Sequence, residues 1–150
     1  MAAGIALADG EASKDEDGGW TGVGVGELDC SDAIFIANCG DFDIEVMGPG
    51  GTVSNYGCST LNYELADEVL YEFCLGAQGE LQFEVSYQHS PYNDLDLFVL
   101  GSCDPADCLG ASLGTDGRED VTLNLPAGRY YAVVDAWEGL IDNSDFDIIV

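Results

Sequence analysis

A chain of 150 residues with 47% hydrophobic side chains is long and apolar enough for one domain with its own core. Its charge is lopsided: 29 Asp and Glu stand against 3 Lys and Arg, a formal net charge of −26. Nucleic acid and anionic membrane surfaces are excluded as partners, because both need a cationic face, and no apolar run approaches the ~20 residues of a spanning helix. The partners such a surface admits are divalent cations, cationic or other extracellular polymers, and copies of itself bridged by ions.

The first eight residues form a short apolar stretch ending Ala6-Leu7-Ala8, the small-x-small pattern that precedes a cleavage site. The basic start and longer apolar region of a full signal peptide are missing. The stretch is either a signal-peptide remnant or the start of the mature chain. Residues 9–29 are rich in Gly, Asp and Glu, with Trp20 as the large anchor, so 1–29 is expected to be an arm or linker. Residues 30–150 then form the domain.

From Cys30 onward, short apolar runs alternate with Gly, Asn, Asp and Pro. Period two recurs and helical periodicity does not. Strands are predicted at 33–37, 41–46, 69–75, 80–85, 95–100, 121–125, 129–136 and 145–150. Asp41-Phe42-Asp43-Ile44-Glu45-Val46 and Glu80-Leu81-Gln82-Phe83-Glu84-Val85 each put acids or amides on one face and apolar groups on the other. Gly48-Pro49-Gly50-Gly51, Gly76-Ala77-Gln78-Gly79 and Pro126-Ala127-Gly128 suit the reversals between strands. About eight strands without a helix predict an all-β fold, an antiparallel, jelly-roll-like sandwich of two sheets. Its expected core is Phe42, Ile44, Val46, Tyr71, Phe73, Leu81, Phe83, Leu95, Leu97, Val99, Leu123, Tyr131, Val133, Phe146 and Ile148.

Six cysteines without a Cys-x-x-Cys knuckle point to disulfides in an oxidising compartment rather than to thiolate metal ligands. Cys103 and Cys108, five apart, read as a small disulfide-closed turn. If Cys30 and Cys39 bracket one extended strand, they are too far apart to bond to each other.

Glu68-Val69-Leu70-Tyr71-Glu72-Phe73, Asp94-Leu95-Asp96-Leu97-Phe98-Val99 and Ala127-Gly128-Arg129-Tyr130-Tyr131-Ala132-Val133-Val134-Asp135 together resemble the bacterial pre-peptidase C-terminal domain. Cys39-Gly40 and Tyr56-Gly57-Cys58 look like a cysteine-rich variant found in secreted proteins. The resemblance implies a jelly-roll-like sandwich that accompanies secreted peptidases, with relatives that bind calcium or extracellular matrix polymers. It also implies Cys39–Cys58 as one disulfide, with Cys30–Cys74 as the preferred remaining pair.

Asp94 and Asp96, two apart on a strand, project from the same face and repel unless a divalent cation lies between them. Calcium suits them, with Asp135 approaching the same end of the sandwich. Asp142, Asn143, Asp145 and Asp147 form a second oxygen-rich group that lacks the Gly and distal Glu of an EF-hand. The competing reading is a solvated face, and an acidic surface adapted to high salt would have the same composition. His89 is the single histidine and falls in a predicted loop, and no Gly-x-Ser-x-Gly elbow occurs, so a non-enzymatic protein is expected. Trp137 is placed either to stack on a sugar or protein ligand or to cap the sandwich. The whole predicts a secreted, cation-stabilised structural or adhesive module, able to form filaments if its arm adds a strand to the next copy. A targeting module for a secreted hydrolase is the alternative.

Overall fold

A computed structural model describes residues 25–37, 42–47, 51–61, 63, 68–91, 93–137 and 144–150. Eleven strands follow in order: β1 (Val25–Gly26), β2 (Ile34–Ile36), β3 (Phe42–Met47), β4 (Val53–Asn55), β5 (Val69–Leu75), β6 (Gly79–Tyr87), β7 (Leu95–Leu100), β8 (Cys108–Ser112), β9 (Arg118–Leu125), β10 (Gly128–Ala136) and β11 (Ser144–Ile149). The described residues contain no α-helix, only a 3-10 turn at Cys30–Asp32 capped by the Asp29 carboxylate. All eight predicted strands are present.

Nine strands make two sheets, ordered β2-β5-β10-β7-β8 and β3-β11-β6-β9, and β1 pairs with β4 in a small ribbon. Pairing is antiparallel except for β2, which runs parallel to β5 (Ile34↔Tyr71, Ile36↔Phe73). The Gly76–Gly79 and Pro126–Gly128 turns do not close hairpins. Each carries the chain from one sheet to the other, β5 to β6 and β9 to β10.

Period two explains the inner core. Tyr71, Phe73, Leu95, Leu97, Val99, Tyr130, Ala132 and Val134 from the five-stranded sheet meet Leu81, Phe83, Val85, Val121, Leu125, Phe146, Ile148 and Val150 from the other. Leu123 packs partly against this core. Phe42, Ile44 and Val46 lie on β3, but their side chains are outside the described residues.

Alternation on β7 and β10 does not leave one face wet. Every residue of β7 is buried, and so is β10 from Tyr130 to Ala136. Their second face is covered by Leu28, Val53, Tyr56 and Tyr63. Tyr131 and Val133, expected in the inner core, instead join Phe98 and Leu100 in this second core. The boundary drawn at residue 29 therefore falls inside packed structure. Val25 pairs with Asn55, and Leu28 is buried. At Gly26 the backbone is left-handed (φ +124°) and lies against Thr52 and Val53, where a Cβ has no room.

Two disulfides fix the cover, and neither follows an expected pairing. Cys30 bonds Cys103 and Cys58 bonds Cys108. Cys103 and Cys108 do not bond each other, because the turn between them is closed by backbone (Gly101 N–H to Asp107 O, 2.9 Å), leaving each sulfur to reach the cover. Cys39–Cys58 is ruled out because Cys58 is taken by Cys108. Cys39 itself lies outside the described residues. Cys30–Cys74 fails because Cys30 is carried to the 101–108 loop, while Cys74 on β5 is an exposed free thiol.

Candidate functional site

The chemistry collects where the cover meets the sheet. Asp96 on β7 and Asp135 on β10 are direct cross-strand neighbours, 1% and 0% exposed. The Tyr56 hydroxyl donates to Asp135 Oδ2 at 2.6 Å, and the Tyr63 hydroxyl donates to Asp96 Oδ2 at 2.6 Å. The Ala136 N–H serves Asp135 Oδ1. Both tyrosines meet Phe98, which shares the outer face of β7 with Asp96. Its ring stacks on Tyr56 (3.9 Å) and meets Tyr63 edge-on (5.2 Å). Asn55 donates its amide to the Ser59 and Leu61 carbonyls and holds the loop that presents Tyr63.

Burial dominates the electrostatics. It pushes the Asp96 carboxyl up to about 7, with the Tyr63 hydrogen bond opposing and the charges of Asp94 and Glu119 adding. Burial likewise pushes Asp135 well up, against its bond from Tyr56 and with help from Glu68. Both tyrosine hydroxyls are driven above their ordinary range by burial and by the aspartates they serve. The cover is pinned by Glu68 too, whose carboxylate accepts the Thr52 and Val53 N–H groups.

A second group of acids lies at the end of the inner core. Glu119 on β9 shares the inward parity of Val121 and Leu125 and is 0% exposed. Its Oε2 accepts the Gly114 N–H at 2.9 Å, and its Oε1 is buried without a hydrogen-bond partner. Burial raises its pKa against the hydrogen bonds from Ser112 and Gly114, and the charges of Asp116 and Asp94 add to the rise. Asp94 accepts the Tyr87 hydroxyl (3.2 Å) and through its carbonyl the Trp137 N–H. Asn93 Oδ1, one residue before it, is likewise buried and unpartnered.

Asp96 and Asp135 are cross-strand neighbours beneath the cover, whereas the Asp94 carboxylate accepts from Tyr87 of the other sheet. Among the described residues no three of His, Cys, Asp and Glu converge as a metal centre. Asp142 and Asn143 lie outside the described residues. Asp145 on β11 pairs with Val46 on β3, but its side chain is not described, and Asp147 is exposed. Trp137 is half-buried against the second core. His89 meets the Tyr87 ring edge-on, 6.4 Å between centroids. Sequence reasoning missed Tyr56, Tyr63, Asn93 and Glu119. Only Glu119 carried a readable signal: it sits in the apolar row Glu119, Val121, Leu123, Leu125, where an acid must point inward.

These features define a disulfide-stapled β-sandwich with one outer face covered by Leu28, Val53, Tyr56 and Tyr63. The fold is that of the pre-peptidase C-terminal domains. The pre-peptidase C-terminal domain of a collagenase from Bacillus anthracis superposes with a TM-score of 0.56 at 10% identity, over 79% of this chain and 93% of that one. A periplasmic inhibitor of g-type lysozyme from Aeromonas hydrophila aligns over 78% of this chain and 96% of its own, with 14% identity and a TM-score of 0.44. No protein-family model and no curated protein matches the sequence.

Proposed function

We propose that this chain is a non-catalytic extracellular module, stabilised by a divalent cation such as calcium, that assembles with copies of itself through its N-terminal segment. The observation that carries the ionic part is Glu119: a fully buried carboxylate with one oxygen unpartnered, its charge opposed by that of Asp94. Unpaired buried acids are costly. A buried carboxylate with a free oxygen suits a hard cation that takes oxygen ligands in loose geometry. Asp96 and Asp135 fit less well, since each already holds a tyrosine hydroxyl. Two disulfides support an oxidising, extracellular setting. No described helix is long and apolar enough to cross a membrane.

The test is a thermal melt of the full chain in calcium and in chelator. A site filled at a hundredfold excess over its dissociation constant adds about 2.7 kcal/mol, or roughly 5–10 °C at this size, and Glu119→Gln removes the increment. Identical melts in calcium and chelator defeat the ionic part. A second reading, a targeting module for a secreted hydrolase, is supported by the likeness in fold to a collagenase domain and by Phe35, 61% exposed on β2. Retention of the chain on a collagen or polysaccharide column would favour it.

A further inference from the structure

The loop between β8 and β9, residues 113–117, closes with a turn suited to glycine. Gly117 is left-handed (φ +85°), and a Cβ there would lie 2.8 Å from the Tyr87 carbonyl oxygen. The turn feeds the start of β9, the edge strand of the four-stranded sheet. Tyr87 donates its N–H to the Gly117 oxygen (3.0 Å), and the next pair in the ladder sets Ser86 opposite Arg118. Hydrogen bonding alternates along an antiparallel pair, so the Arg118 carbonyl is directed away from β6, to the side where the loop runs. The Asp120 N–H, two residues on, has the same direction and finds the Ser112 hydroxyl at 3.2 Å.

Three oxygens meet on that side. A Cβ on residue 114 would lie 3.0 Å from Glu119 Oε1, 3.5 Å from the Arg118 carbonyl oxygen and 3.5 Å from Asp116 Oδ1. Residue 114 is a glycine, which leaves that space without a side chain of its own. Glu119 reaches it from inside: the residue is 0% exposed, its Oε2 is held by the Gly114 N–H, and Oε1 is the oxygen without a hydrogen-bond partner. Asp116 reaches it from the exposed part of the loop. Arg118, the nearest cation along the chain, turns its guanidinium outward to Glu84 (2.7 Å) and Asp120 (3.2 Å).

Two carboxylates and a carbonyl dipole thus aim their negative ends at one spot beside solvent. Donors that are all oxygen suit a hard ion rather than zinc or copper. Calcium takes them in irregular geometry and completes its shell with water, whereas magnesium demands a near-ideal octahedron. The three distances exceed calcium–oxygen bonds of about 2.3–2.6 Å by roughly 1 Å, a closure that the exposed Asp116 side chain can supply.

We infer that Glu119, Asp116 and the Arg118 carbonyl form a calcium site beside Gly114, at the mouth of the 113–117 loop. This inference rests on the ionic part of the function proposed above and names its ligands.

The probe is calcium alone, added to the ¹⁵N-labelled full chain. The amides of 114–119 should shift together as calcium reaches the roughly 10⁻⁴–10⁻³ M range of extracellular modules. Asp116→Asn should weaken calcium binding roughly tenfold or more. Gly114→Ala, whose backbone is not left-handed and so accepts Ala, should abolish binding by placing a methyl group among the three oxygens. In chelator, Asp116→Asn should melt no lower than the native chain, because it removes a charge that opposes Glu119. A lost ligand is thereby told apart from a damaged loop. Shifts confined to other segments, or a calcium increment in the melt that both variants keep, overturn this site and leave the ionic reading standing. An Asp116→Asn chain that already melts lower in chelator also overturns the site, since the role of Asp116 is then structural. Neither shift nor increment at calcium well above that range overturns both, and Glu119 Oε1 then holds a water.

Discussion

Asp96 and Asp135 stand directly opposite each other on β7 and β10, both shut away from water and each taking a hydroxyl from a different tyrosine of the cover. Like charges in register on adjacent strands repel. Without a base nearby, the arrangement is tolerable only if at least one carboxyl keeps its proton, and their raised pKa values have that meaning.

The first consequence is a pH dependence of stability. Unfolded, Asp96 titrates near 3.8, and folded, at about 7. Between those values the folded chain holds the extra proton, so folding is favoured at the acid end and weakens as pH rises through about 7. The shift corresponds to about 4 kcal/mol. Urea unfolding between pH 4 and 8 should show midpoints falling with pH. Asp96→Asn, neutral throughout and still an acceptor for Tyr63, should flatten much of that slope. An unchanged slope in the variant would assign the effect to the net charge of the surface.

The tyrosine hydroxyls should be worth more than their rings alone. Tyr56→Phe keeps the stack on Phe98 and removes the donor to Asp135, an expected loss of about 1–3 kcal/mol. Tyr63→Phe should cost a similar amount through Asp96. If either variant unfolds at the native urea concentration, the bond contributes nothing.

Phe98 is the packing centre of the second core, fully buried and in ring contact with both tyrosines. Phe98→Ala should cost about 3–5 kcal/mol. Phe35→Ala, on a side chain 61% exposed, should fall within about 0.5 kcal/mol of native. Equal losses would mean that the cover is not packed on the sheet.

Peptide mapping without reduction should recover Cys30–Cys103 and Cys58–Cys108 and show Cys74 open to alkylation in the folded chain. The loops they close span 73 and 50 residues. Replacing Cys58 and Cys108 together by Ser should therefore cost roughly 4 kcal/mol on the chain-entropy model. A Cys103–Cys108 peptide would contradict the fold of the cover.

Strands with a clean period-two pattern were legible, β5 and β7 to the residue. The misses have one cause. In Asp94-Leu95-Asp96-Leu97-Phe98-Val99 alternation was read as acids to water, but the cover turns the second face into another interior. That cover is built from β1 and β4, two and three residues long, too short to show a period. Disulfide partners were illegible for the same reason: both cysteines near 105 reach to a layer the pattern did not announce. Asp135 was expected only to approach the end of the sandwich near Asp94 and Asp96, and the tyrosines that serve Asp96 and Asp135 come from irregular chain, where spacing says nothing about direction.

Both disulfides land on one loop, residues 101–108, and both tie down the same layer. The sandwich beneath has its own core and no cross-link of its own among the described residues. A reductant would thus unfasten the roof and leave the walls upright, uncovering Phe98, Leu100 and Val133 as a greasy panel around two acids suddenly free to ionise. A chain lacking the two disulfides would therefore be sticky as well as slack.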